Sequence, residues 1–179
     1  ELAQFKLDVK SISENEFRIP QSCLFTYNGD LKTQIEYKKN VYQGYLSSAA
    51  PRSTPELKFE KFCERSEKVE WWYKNGDKGI VYVDNSEKQK LFYPDYIICV
   101  GGKIWIIETK GGFDRSGNSQ DIDKYTAKKF AVLKAYLKKY GLKGGIVRND
   151  DSTDELCICM ENYSDNIQSD DWNILSNVI

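Results

Sequence analysis

Residues 93–112 read YPDYIICVGGKIWIIETKGG, and this stretch constrains the fold more than any other. Gly101-Gly102 is a strong signal for a two-residue β-turn. Pairing the flanking strands across it sets Val100 opposite Lys103, Cys99 opposite Ile104 and Ile97 opposite Ile106. Carried further, the same register sets Asp95 opposite Glu108. Side chains alternate along a strand, so Asp95, Ile97 and Cys99 share one face with Ile104, Ile106, Glu108 and Lys110. A four-residue loop centred on the same glycines keeps this register, and a three-residue loop breaks it.

The hairpin therefore places two carboxylates opposite each other, with Cβ atoms about 4.5–5.5 Å apart. Like charges so placed are destabilising unless one is protonated or a cation lies between them. Lys110 projects from the same face and offsets part of the charge. Two carboxylates with a free position also suit a hard divalent cation such as Mg²⁺, which favours one or two carboxylates, waters and substrate phosphates. The plain alternative is a partly exposed strand end with an ion pair of little worth. Three charges converging at the end of a very apolar hairpin, two of them repelling, weigh against it. Gly111-Gly112 follow at once and allow close backbone approach to a ligand such as a phosphodiester.

Composition narrows the chemistry. The 179 residues suffice for one well-filled domain. Charged residues make up 30% and the formal net charge is -1, so there is no net electrostatic pull toward nucleic acid or membrane. Any such affinity must come from local patches. With no histidine in the chain, Cys/His zinc sites and Ser-His-Asp or Cys-His catalysis are excluded. The cysteines, Cys23, Cys63, Cys99, Cys157 and Cys159, form no CxxC pair and are odd in number. They read as reduced core residues of a cytoplasmic protein. No apolar run has transmembrane length and no signal peptide is visible. The chain begins ELAQFK without Met, as expected of a fragment of a longer protein or of a chain that has lost a tag or leader.

Along the chain, residues 1–52 read as an N-terminal extension packing on or leading into the core, with strand-like pieces at 4–9 and 34–37. Ser53 or Thr54 caps a helix that runs to about Ser66, with Pro55 and Glu56 in its first turn. VEWWYKNGDKGIVYVDN reads as two strands joined in a hairpin at Asn75-Gly76-Asp77. Strand character resumes at Leu91 and continues to Thr109. A loop with Gly111, Gly112, Gly117 and Asn118 follows. Residues 121–140 show helical periodicity ended by Gly141, 145–148 and 155–160 are strands, and DDWNILSNVI is a short closing helix. The order predicts a mixed α/β domain whose first strands are antiparallel.

Pro94-Asp95, a spacer of 12 residues and Glu108-Thr109-Lys110 resemble the motif of the PD-(D/E)XK nuclease superfamily. The wider string WWYKNGDKG…LFYPDYIICVGGKIWIIETKGG…DIDKYTAKKFAVLKAY is similar to the endonuclease domain at the C-terminal end of type III restriction subunits and related helicase-nuclease proteins. The resemblance covers residues 53–148, within a single nuclease domain expected over 53–179. It implies an α/β fold with a restriction-endonuclease-like αβββαβ core, a mixed sheet flanked by helices. It also implies hydrolysis of DNA phosphodiesters dependent on Mg²⁺ or Mn²⁺. Asp95 and Glu108 would ligate the metal with the backbone carbonyl of Thr109. Lys110 would position the attacking water and stabilise developing charge, and a metal-bound water needs no histidine.

The resemblance extends to two helices. Many members carry a glutamate on the helix before the sheet; Glu56 matches it best and Glu60, one turn on, is second. The plain reading of Glu56 is a first-turn acid favoured by the helix dipole. On the second helix, Ile122, Thr126, Phe130, Leu133, Leu137 and Tyr140 form the apolar face, and Lys129 falls inside that arc. Such a lysine usually snorkels, but in this superfamily a polar residue of this helix reaches the active site, and Lys129 matches it, with Lys128 next. Gly111, Gly112, Lys124 and Lys128 are candidates for DNA contact. Basic residues from Lys124 to Arg148, with Lys134, Lys138, Lys139 and Lys143, can follow a DNA backbone. Asp114, Arg115 and Asn118 can touch substrate, while Trp71, Trp72 and Trp105 read as core or interface.

No GxxxxGK[ST] phosphate loop occurs, so any ATPase and sequence-recognition functions lie elsewhere in a parent protein. The expected partners are double-stranded DNA, that helicase/ATPase part, a modification subunit and a second copy, since cutting both strands needs two sites or two events. No membrane partner is expected. Two other readings compete. One is a catalytically silent nuclease-like module that binds DNA or protein. The other is a structural domain with an accidental motif, in which Asp95 and Glu108 point apart or pair with separate cations.

Overall fold

The computed structural model describes residues 9–12, 36–41, 45–46, 53–76, 79–113, 125–150, 152–167 and 169–179. In chain order the elements are β1 (Val9–Ile12), β2 (Glu36–Tyr37), β3 (Tyr45–Leu46), α1 (Thr54–Arg65), β4 (Val69–Lys74), β5 (Ile80–Asp84) and β6 (Gln89–Phe92). They continue with β7 (Tyr96–Val100), β8 (Lys103–Phe113), α2 (Thr126–Tyr140), β9 (Lys143–Asp150), β10 (Glu155–Cys159), β11 (Trp172–Ile174) and α3 (Leu175–Val178). The fold is mixed α/β.

The largest sheet has the order β11-β10-β9-β8-β7-β4. Its pairs are antiparallel except β8 with β9, which run parallel because α2 carries the chain back across the sheet. Gly101 and Gly102 have φ of 56° and 69°, the left-handed pair a two-residue hairpin turn requires. The expected register follows: Val100 pairs with Lys103, Cys99 with Ile104, Ile97 with Ile106, and Tyr96 with Ile107 as the last ladder pair. Beyond Lys110 the register against β9 slips by one residue before Phe113, so Gly111-Gly112 lie in an irregular stretch of β8 where a loop was expected.

Alternation along β8 divides the core. Trp105 and Ile107 face α1 and pack with Phe59, Cys63, Trp72, Tyr96 and Ile98. Ile106 faces α2 and packs with Val132, Leu133, Tyr136 and Leu137. Fully burying one such aliphatic side chain is worth about 1.5–3 kcal/mol, so the register is fixed from both faces. The β9 strand approaches β8 so closely that a Cβ on Gly144 would stand 2.0 Å from the Ile106 carbonyl oxygen.

Two expectations are corrected. The hairpin at Asn75-Gly76-Asp77 does not form: β4 pairs with β7, and β5 joins β1 and β6 in a separate three-stranded antiparallel sheet. Burial overrides the local turn signal, because Trp72 is packed edge-on against Tyr37 and Tyr96 in the main core. Asn75 acts as a clamp: its backbone N–H donates to the Asp95 carbonyl at 2.8 Å and its side-chain Nδ2 to the Pro94 carbonyl at 2.7 Å. The closing helix is also shorter than expected, because Trp172–Ile174 pair with Cys157–Cys159 as an edge strand before α3 begins.

The second helix runs over Thr126–Tyr140 and ends at Gly141 in the left-handed region; Ile122 and Lys124 lie outside the described residues. Part of the described N-terminal segment reaches the main core and sheet. Tyr37 is buried, and the Lys39 carbonyl and Val41 N–H bond the free edge of β4 at Trp72. Cys63, Cys99, Cys157 and Cys159 are buried and free, and Cys23 lies outside the described residues. No helix among the described residues is long and apolar enough to cross a membrane.

Candidate active site

The site forms where the β7–β8 ladder stops. Past Tyr96 and Ile107, the Asp95 side chain takes over from the backbone: its Oδ2 accepts from the Thr109 N–H and from Thr109 Oγ1, each at 2.8 Å. Its Oδ1 accepts from Lys74 Nζ at 3.2 Å. Lys74 closes β4, opposite Tyr96 in the register, and its ammonium lies 4.5 Å above the Tyr96 ring.

The same ammonium bonds Glu56 Oε1 on the first turn of α1. Glu56 Oε2 accepts from Ser53 N–H and Ser53 Oγ at 2.8 Å each, closing the helix N-terminus. Glu56 thus divides its oxygens, one serving the helix N-terminus and the other meeting Lys74. Burial raises the Glu56 pKa, but the bonds from Lys74 and Ser53 outweigh it and leave it lowered. Glu60, the second choice, points into the core and accepts from Tyr37 at 2.7 Å and Tyr96 at 2.9 Å.

Glu108 is the most enclosed acid of the group, with 4% of its side chain exposed. Its Oε1 lies 2.8 Å from Lys110 Nζ and 3.6 Å from Lys129 Nζ. Its Oε2 is buried and has no hydrogen-bond partner among the described residues. Burial first, and the Asp95 charge second, push its pKa up to about 7. Burial pulls Lys110 down, but the charge and hydrogen bond of Glu108 outweigh it and raise the ammonium's pKa. Lys110 is thus a held cation, suited to orienting a nucleophile and stabilising charge.

Asp95 and Glu108 do pair with separate cations, Lys74 for one and Lys110 with Lys129 for the other. An accidental motif entails that pattern. It does not entail the oxygen left over. A buried acceptor without a donor costs about 1–3 kcal/mol, and Glu108 Oε2 is such an atom in a carboxylate that also feels Asp95. No cluster of three or more His, Cys, Asp and Glu side chains that could hold a metal occurs among the described residues. The expected ligand set has only two such side chains and takes its third ligand from the Thr109 backbone, so it fits an acceptor of this kind.

The remaining candidates divide. Lys128, consecutive with Lys129, lies 3.9 Å from Asp84 and not at the motif. Gly111 and Gly112 continue β8 beyond Lys110. The basic row does not form one surface. Arg148 is fully buried, with Tyr163 and Trp172 rings each 5.7 Å from its guanidinium carbon. Lys134 bonds Glu161, Lys139 the Ile12 carbonyl, and Lys143 covers Trp105. Trp72 and Trp105 are buried. Lys124, Asp114, Arg115 and Asn118 lie outside the described residues. Lys74 and Asn75 were missed; only the pairing of β4 with β7 reveals them. No protein-family model matches the sequence, and comparisons with curated proteins and with solved structures also give no match.

Proposed function

We propose that the chain is a divalent-metal-dependent DNA endonuclease domain of PD-(D/E)XK type, the cleavage module of a cytoplasmic type III restriction enzyme or related helicase-nuclease. The observation that carries this reading is the buried Glu108 Oε2, without a hydrogen-bond partner among the described residues, beside Lys110 and Lys129 and one residue past the last β7–β8 ladder pair. The order α1, β4, β7, β8, α2, β9 supports an αβββαβ core.

In this reading Asp95, Glu108 and the Thr109 carbonyl hold Mg²⁺ or Mn²⁺, which supplies a water of lowered pKa and polarises the phosphodiester. Thr109 fixes the Asp95 carboxylate through two hydrogen bonds, so its orientation is set before any ligand arrives. Lys110 stands at Glu108 as a permanent cation that orients the attacking water and faces the charge developing on phosphorus. Lys129, 35% exposed, reaches the same carboxylate from α2 and presents a second cation to the DNA phosphate. Gly111 and Gly112 let the backbone approach that phosphate.

The test is plasmid nicking in Mg²⁺ or Mn²⁺ by the chain and by its parent protein, beside Asp95→Ala. Nicking by the unaltered protein and none by the variant is expected; equal nicking by both would sink the assignment. The separate ion pairs favour a second reading, a silent nuclease-like binding module. In that case the chain retains DNA or a protein partner but binds no Mn²⁺, which calorimetric titration decides.

A further inference from the structure

Among the described residues, Lys74 is the one cation of the site that the resemblance does not account for. Its ammonium lies between two carboxylates from different elements, Glu56 of α1 and Asp95 at the hairpin mouth. Side-chain exposure is 17% for Lys74, 18% for Glu56 and 26% for Asp95, so the three charges interact where water screens them poorly. The Tyr96 ring beneath the ammonium adds a cation–π contact and fixes its height. An exposed ion pair would have none of these restraints.

Charge balance gives the arrangement its meaning. Among the described residues, Glu56, Asp95 and Glu108 meet Lys74, Lys110 and Lys129, three acids against three lysines. One divalent ion on the Asp95–Glu108 side leaves a positive site that a phosphodiester can offset. A second divalent ion would have to enter between Glu56 and Asp95, where the ammonium already stands. It would also need near-octahedral oxygen ligands at about 2.0–2.1 Å, and both facing oxygens there are engaged by Lys74.

We propose that Lys74 is a built-in counter-cation that holds the site to a single divalent ion, keeping the Glu56–Asp95 gap closed to a second. This rests on the metal-dependent reading above and adds to it the role of Lys74 as a positioning residue and of Glu56 as its anchor, not a metal ligand. Losing the ammonium leaves two carboxylates repelling across a partly buried gap, which is what draws in a cation.

Mn²⁺ titration of the full chain, read by calorimetry and by the paramagnetic resonance signal of free Mn²⁺, tests it without reference to activity. One Mn²⁺ per chain is expected for the unaltered protein. Two are expected for Lys74→Met and for Lys74→Gln, which keeps a hydrogen-bond donor should the Met variant fail to fold. Lys74→Arg, which keeps the charge, should return the count to one, and so should Lys74→Gln combined with Glu56→Gln. A single Mn²⁺ in the folded Lys74→Gln chain, or two in the unaltered protein, overturns the proposal while leaving the metal-dependent reading standing. No Mn²⁺ in the unaltered protein, with Glu108→Gln indistinguishable from it, overturns both.

Discussion

Asp84 and Glu108 are both buried carboxylates on strands, and each has two lysines beside it. The lysines that reach them from α2 are consecutive, Lys128 for Asp84 and Lys129 for Glu108. Yet the two acids are opposites. Asp84 Oδ1 accepts from Ser86 N–H at 2.9 Å, Ser86 Oγ at 2.6 Å and Lys88 N–H at 3.2 Å, while Oδ2 meets Lys90 at 2.6 Å. The Lys90 and Ser86 bonds hold its pKa far below the usual carboxylate range. Glu108 spends one oxygen on its lysines, leaves the other unbonded among the described residues, and is pushed up to about 7. Burial and nearby cations do not separate a carboxylate that braces a turn from one with a buried oxygen to spare. The count of satisfied lone pairs does.

The largest expected effect breaks the two apart by activity. Glu108→Gln should lower metal-dependent plasmid nicking by on the order of 100-fold or more, since losing the proposed metal ligand would forfeit several kcal/mol of transition-state stabilisation. Asp84→Asn should leave the nicking rate where it was and lower the thermal midpoint instead. Circular dichroism melts beside the nicking assay check both.

A pH series sharpens the contrast. Glu108 ionises near its ordinary 4.5 in the unfolded chain and near 7 in the folded one. Below pH 4.5 both states are protonated and the group is neutral in its effect. As pH climbs to 7 the unfolded chain gains by ionising first, so folding stability is lost, by about 3 kcal/mol across that window. Urea unfolding of the metal-free protein should show this loss relative to Glu108→Gln, which cannot ionise. Parallel pH dependence in the two would refute it.

The smallest effect concerns the consecutive lysines. Lys129→Met should slow nicking by about 10-fold, the value of one charge-assisted contact. Lys128→Met should leave it unchanged. Single-turnover rates on one plasmid distinguish them, and equal losses would show that α2 serves only as a basic surface.

The hairpin was legible because two signals agree: a Gly-Gly turn and an apolar run on each side of it. Counting from that register sets Asp95 opposite Glu108 on one face, but the ladder ends at Tyr96 and Ile107, and the Asp95 carboxylate turns to Thr109 Oγ1 and Lys74 while Glu108 meets Lys110 and Lys129. Helical periodicity put Lys129 inside the apolar arc of the second helix, and the resemblance gave the reason to look for it near Glu108, where it lies at 3.6 Å. The Asn75-Gly76 turn misled because it is a local preference, and Trp72 answers to contacts with Tyr37 and Tyr96 that no local window contains. Arg148 was read as a surface charge because its covering rings come from residues after β10 that carry no pattern. Lys74 was invisible for the same reason: its meaning depends on which strand lies beside β7, and the linear sequence favoured the wrong neighbour.

Pro94 gains a role from where the ladder ends. The register that pairs Tyr96 with Ile107 would set Pro94 opposite Thr109. In a strand a residue's N–H and C=O point to the same side, and the Thr109 N–H points to Asp95. A residue at 94 with an amide hydrogen would have a donor with which to continue a ladder. Proline has none to offer. The imino acid thus withholds a donor just where the β7–β8 ladder ends, and its carbonyl turns instead to the Asn75 side chain at the end of β4.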